Sequence, residues 1–281
     1  MNQITEETFE QTLRSFISSE RIDLSDISFI DPYGMLGLLE IGELCMLEDV
    51  RKAVTLPRSG EVCAYLDRMD FFTHARRYFS LDRPPCPAAH QKSRNKESDV
   101  LLEITPVERS NDIHAIVGTV QDRAKAILER HLRYDDRAIN RFIVALSEVC
   151  QNIIEHSENK GFVGIQNYRC QKIGKNVVRI AVMDVGVGFK KSLSSRFTLR
   201  SDREAIEKAL LHGASRYEDE GRGHGLAAVR RFVNQWNGKL SIRSGTARLS
   251  LVPPWAGGRA AQERGLIPFP GAQINILLPE V

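Results

Sequence analysis

Residues 135–159 read DDRAINRFIVALSEVCQNIIEHSEN, and this stretch decides the fold. Phe142, Leu146, Val149 and Ile153 recur with the 3.6-residue period of a helix and define its core-facing stripe. Glu148, Asn152 and His156 follow one another at strict four-residue spacing. Each such step turns the direction by only about 40°, so the three side chains form a ladder down one stripe. That ladder lies roughly 90° round the helix from the apolar stripe. It therefore sits at the margin of the core, where a buried ligand would meet it.

Two glycine motifs follow. VMDVGVGF places Asp184, Gly186 and Gly188 as D-x-G-x-G directly after an apolar run. Gly221, Arg222, Gly223, His224, Gly225 and Leu226 spell G-R-G-H-G-L directly before an amphipathic helix. In order and spacing the three segments resemble the N, G1 and G2 boxes of the Bergerat-fold (GHKL) ATP-binding superfamily. The form E-x-x-x-N-x-x-x-H with G-R-G-x-G-L is most similar to its anti-sigma-factor serine-kinase branch. The resemblance covers roughly the last two-thirds of the chain.

It implies ATP and Mg²⁺ as cofactors. A small hard cation that keeps several waters suits one neutral amide oxygen plus phosphates, which assigns the metal to Asn152. Glu148 then lies beside the γ-phosphate, where the family places its catalytic base. His156 is read chiefly as a helix histidine without a part in the chemistry. Asp184 is expected to accept from the adenine amine, with Gly186 and Gly188 letting backbone approach base and sugar. Gly221, Gly223, Gly225 and Leu226 open a helix whose free N–H groups hold phosphate. Arg222 adds a phosphate contact, and His224 is as readily a solvent-facing lid residue. The family often places a threonine at the start of its last strand, where this chain has Ala272 and Gln273. There is no P-loop, no strand-linked G-x-G-x-x-G and no G-x-S-x-G nucleophile elbow.

At 281 residues, two domains are expected. Five cysteines, with no C-x-x-C spacing, suit reduced thiols in a cytoplasmic protein. No apolar run approaches the length of a membrane span. Net charge is +3, yet residues 1–81 hold 8 Lys+Arg against 14 Asp+Glu, net −6, leaving +9 for the rest. The basic residues are scattered rather than striped with aromatics, which disfavours nucleic acid as a partner.

In the N-terminal part, residues 6–18 suggest a short helix, and alternating Ile22, Leu24, Ile27, Phe29 and Ile30 suggest one strand. Asp31 and Pro32 then start an apolar helix running to about Met46. A strand at 53–56 and helices at 61–69 and 72–79 complete an α/β pattern. The strand running into a capped helix resembles the STAS domain of anti-sigma-factor antagonists, abbreviated here and with Tyr33 at the phosphoacceptor position. This part is expected to be an acidic docking platform, removable without loss of ATP binding, that meets a partner or the basic face of its own ATP domain. Residues 82–99 read as a linker. Further on, strands are expected at 101–104, 162–168, 177–183, 239–242, 248–252 and 272–278, with a Pro/Gly-rich loop over 253–271. Residues 190–223 are expected to form a lid.

The fold expected is therefore α/β: a small STAS-like domain over 1–81, a linker over 82–99, and a Bergerat two-layer sandwich over 100–281, with a mixed sheet and helices on one face. The function expected is a Mg-ATP-binding signalling protein, leaning to a serine/threonine kinase (a transferase) acting on an antagonist or sigma-factor-like regulator. A nucleotide-gated binding switch and a GHKL ATPase are the alternatives, and a homodimer is kept open.

Overall fold

A computed structural model describes residues 2–85, 99–127, 135–171, 173–214, 225–257 and 261–280. Its larger part is a five-stranded sheet in the order β6-β7-β8-β10-β9, formed by Val100–Val107, Gly161–Cys170, Lys175–Asp184, Ala261–Pro279 and Lys239–Leu251. Four helices cover one face: α5 (Ser110–Ile127), α6 (Asp136–Asn152), α8 (Asp202–His212) and α9 (Gly225–Gln235). The α/β sandwich is thus the one expected, corrected in one detail. All four neighbouring pairs run antiparallel instead of mixed. For β6 and β7 the reason is the even count of helices between them, since α5 and α6 carry the chain away and back to the end it left; β7–β8 and β9–β10 pair with their neighbours in sequence.

Strand β8 shows why the sheet is covered on both faces. Val178, Ile180 and Val182 enter the core beneath the helices, while Ala181 and Met183 point the other way into a second core. That second core is built by the N-terminal part. Here α1 (Phe9–Ile17), α2 (Pro32–Leu47), α3 (Gly60–Arg68) and α4 (Phe71–Tyr78) accompany three short parallel strands, β2 (Arg21–Asp23), β4 (Ala53–Thr55) and β5 (Ser80–Leu81), and the pair β1 (Gln3–Ile4) and β3 (Phe29–Ile30). The single strand expected through Ile22 and Ile30 is split between two sheets. Asp23 accepts from the Ser25 N–H and turns the chain between the two halves.

Helix α2 is buried on every side from Pro32 to Glu43 and is apolar there apart from Glu40 and Glu43, which suits a helix enclosed by the rest of the chain. Its Asp31 cap accepts from the Gly34 N–H at 2.8 Å, as expected of the Asp-Pro start. Gly37 leaves the room that the Phe9 ring fills, since a Cβ there would lie 2.2 Å from it. Leu36, Met69 and Phe72 share one core with Phe162, Met183, Val185 and Phe269 of the sheet.

Charge reinforces this contact. Asp31 pairs with Arg179 of β8, both buried. Glu6 takes Lys239 at 2.8 Å, Glu10 takes Arg243 at 2.6 Å, and the Glu6 carbonyl accepts from Arg248 at 3.2 Å. The acidic N-terminal surface thus meets the basic face of the chain's own sheet. A freely removable platform does not fit this arrangement, because one core and several buried ion pairs cross the junction. Tyr33 is sealed in that core at 1 % exposure, edge-on to Phe9.

Other expectations change in extent. The strands at 239–242 and 248–252 are one strand, β9, bent at Gly245, and much of the 253–271 loop is β10 pairing back onto it with a register shift. The lid is narrower than expected. Helix α8 buries Ala205, Ile206 and Leu210 in the main core, and Asp202 anchors it by accepting from the Thr246 N–H and hydroxyl at 2.9 and 2.8 Å. Most of the linker, 86–98, and the end of the lid, 215–223, lie outside the described residues. Among the described residues, Cys45, Cys63, Cys150 and Cys170 are free thiols, and no helix is long and apolar enough to cross a membrane.

Candidate functional site

Helix α6 starts at Asp135, whose carboxylate accepts from the Ala138 N–H at 2.7 Å. Phe142, Leu146 and Val149 are fully buried against the sheet, and Glu148 and Asn152 sit half-buried at the margin. After Asn152 the helix widens into a π turn over Ile153–Ser157, a feature often found where a helix carries a site. The backbone of His156 falls inside that turn, beyond the end of α6.

Glu148, Gln151, Asn152 and Glu155 line a polar cavity of about 50 Å³, closed by Phe189 and Ser192 on one side and Gly225 and Leu226 on the other. Phe189 and Ser192 belong to α7 (Gly188–Leu193). A Cβ at position 225 would lie 2.6 Å from the Glu148 carboxylate, so glycine lets the start of α9 approach it without displacing that side chain. Gln151 donates to Glu155 at 2.8 Å. Sequence reasoning missed Gln151 and Glu155. The signal was present, because three and seven residues after Glu148 fall on the same helical face.

A second cavity, about 20 Å³ and mostly apolar, adjoins the first. Val149, Ile153, Val182 and Ile274 wall it, Asp184 stands at its end, and Asn152 and Phe189 border both cavities. Ligand pockets are usually some 300–1,000 Å³. Two cavities this small accept a nucleotide only if a wall withdraws, and α7 is the wall they share.

Asp184 is 4 % exposed, and its Oδ1 accepts from the Gly186 N–H at 2.8 Å. Burial pushes its carboxyl up to about 7, against the stabilising N–H groups of Gly186 and Ala272. The two glycines of the motif serve the protein's own packing. A Cβ on Gly186 would lie 1.9 Å from the Ser157 carbonyl oxygen, and Gly188 holds φ +71° against the Ser244 hydroxyl. Ala272 faces Asp184 across the β8–β10 pair and lines the apolar cavity, whereas Gln273 donates to the Asp184 and Pro270 carbonyls. Gly221, Arg222, Gly223 and His224 lie outside the described residues, while Gly225 and Leu226 open α9 beside Glu148.

The three segments are therefore brought to one place: a polar cavity along α6, an apolar slot ending in a buried carboxylate, and a helix start. Residues 138–262 match the family model described as histidine kinase-, DNA gyrase B-, and HSP90-like ATPase. No curated protein matches the chain. The chain thus carries, over those residues, a segment similar to GHKL-type ATPases, which supports ATP binding. Its ATPase-family segment begins within α6 and ends within β10, with the N-terminal part packed behind the sheet.

Proposed function

We propose that the chain is a Mg-ATP-dependent regulatory kinase of the anti-sigma-factor type, transferring the γ-phosphate to a serine or threonine of a partner antagonist. The observation that carries this reading is the adjacent pair of cavities that share Asn152 as a wall. Adenine suits the apolar slot, where its amine meets the Asp184 carboxylate, and the phosphates suit the polar cavity beside the N-terminus of α9. Glu148 then stands where it can take the proton of an acceptor hydroxyl as that oxygen attacks the γ-phosphorus and ADP leaves.

Asn152 fits the metal. Its amide nitrogen donates to the Glu148 carbonyl at 2.7 Å, which leaves the amide oxygen for a cation. Mg²⁺ bound there would neutralise phosphate charge. Residues 1–81 read best as a STAS-like domain without a phosphoacceptor, since buried Tyr33 occupies that position. The division at 82–99, the range 100–281 for the ATP domain and a cytoplasmic location belong to the same proposal. A nucleotide-gated switch is the second reading, favoured by one observation: α2 packs behind β8, the strand that delivers Asp184.

Purified chain incubated with γ-labelled ATP and candidate antagonist proteins, separated by gel, sorts these readings. Label on a partner supports the kinase, free phosphate an ATPase. Neither, with ATP bound, leaves the switch.

A further inference from the structure

The ladder on α6 does not stop at Glu148. Read towards the N-terminus at the same four-residue spacing, it continues through Val144 and Asn140. These residues line a groove of about 760 Å³ on the outer surface between α6 and α9. The two helices run antiparallel: Arg141 near the start of α6 donates to Gln235 at the end of α9, while Glu148 further along α6 meets Gly225 at the start of α9. Groove and polar cavity thus lie end to end along the same pair of helices.

The groove floor is apolar. Ala145 and Phe232 are buried beneath it, and Val144 stands 58 % exposed within it, so an apolar side chain is open to a partner there. Its rim is basic, with Arg137 and Arg141 on α6 and Arg231 on α9 against the single carboxylate of Asp136. Among the described residues, neither Arg137 nor Arg231 meets a carboxylate, and the chain's own acidic residues Glu6, Glu10 and Asp31 are engaged on the far side of the sheet. The stripe from Asp136 to Ala145 is about 14 Å long, enough for two to three helical turns. Buried Phe232 offers no open ring face for base stacking, which argues against single-stranded nucleic acid.

We infer that the α6–α9 groove docks an acidic amphipathic helix of a partner protein. Apolar residues at i, i+4 and i+7 would cover Val144, Ala145 and Phe232, and acidic flanks would meet the three arginines. One end of the docked helix then abuts the cavity that holds Glu148, which would bring a partner's acceptor group to the phosphate end of the nucleotide. That last placement rests on the nucleotide reading above; the docking does not.

The test is a display library of helical peptides about 15 residues long, with leucine fixed at i, i+4 and i+7 and the other positions random, selected against the full chain. Selected sequences are expected to be rich in Asp and Glu. Fluorescence anisotropy should show their affinity falling at least about tenfold in Val144→Glu and in the double variant Arg137→Glu/Arg231→Glu. Lysine-for-glutamate versions of the peptides should regain binding to the double variant. Neutral or basic selectants, insensitivity to these substitutions, tighter binding of a single-stranded oligonucleotide at the groove, or self-association abolished by Val144→Glu would each overturn the proposal. A fluorescent ATP analogue is titrated into the same proteins. Failure of wild type to bind it would sink the nucleotide reading and leave the peptide result standing.

Discussion

Replacing Asp184 by asparagine tests the electrostatics of the slot directly. Burial holds this carboxyl at about 7 in the fold, against an ordinary aspartate value near 4 in the unfolded chain. Between those values the folded protein keeps a proton that the unfolded chain has lost, so stability falls as pH rises. At 1.36 kcal/mol per pH unit, the whole window amounts to about 4 kcal/mol, of which about 1.4 kcal/mol is lost between pH 6 and 8.5. The Asp184→Asn side chain cannot titrate, yet its amide oxygen still accepts from the Gly186 N–H. The melting temperature of the variant relative to wild type should therefore rise by about 2–3 °C from pH 6 to 8.5. Comparing the two proteins cancels other buried carboxyls, such as Glu40 of α2, which burial raises well above its ordinary value. On the binding side, the proposed adenine contact uses the ionised form as acceptor, so wild-type ATP affinity should increase as pH passes through 7. At pH 8 the variant should bind about 10- to 100-fold more weakly, the worth of one charge-assisted hydrogen bond. Differential scanning fluorimetry and calorimetry read both effects. A stability difference that stays constant with pH would refute the burial argument, and unchanged ATP affinity would remove Asp184 from the adenine contact.

Asn152→Ala should weaken ATP binding in magnesium by tenfold or more on the scale of a lost ligand, and have little effect in EDTA; equal affinities in titration calorimetry would withdraw the metal assignment. Glu148→Gln should keep ATP affinity within a few-fold while phosphate transfer or hydrolysis falls on the order of a hundredfold, measured with labelled ATP. Asp31→Ala leaves Arg179 buried without its carboxylate and should cost about 3–5 kcal/mol in urea unfolding, whereas the double change Asp31→Ala/Arg179→Met should recover much of that loss. Deleting residues 1–81 should leave an insoluble or unfolded product, because Phe162, Met183, Val185 and Phe269 lose their cover; a folded, ATP-binding fragment by circular dichroism and titration would contradict the shared core.

Local pattern carried most of the sheet-and-helix sandwich. The 3.6-residue period and the Asp135 cap define α6 without any tertiary information, and the apolar runs ending in Asp184 define β8 and its hairpin partner. These are signals within one element, where spacing alone sets which side chains share a face. Glu148 and Asn152 could be read as one ladder for the same reason, and Gly225 and Leu226 as a helix start. Tertiary structure decided what spacing cannot express. The helix gave way to a π turn after Asn152, and Glu155 and Gln151 became cavity walls only because α7 and α9 close over them. Gly186 is required by the Ser157 carbonyl, contributed by another segment. The junction of the two parts was likewise invisible in order and composition. Net charge suggested an acidic surface facing a basic one, but the pairing of Asp31 with Arg179 and the burial of Tyr33 follow from α2 lying across the back of the sheet, a long-range packing choice made by the second apolar face of β8.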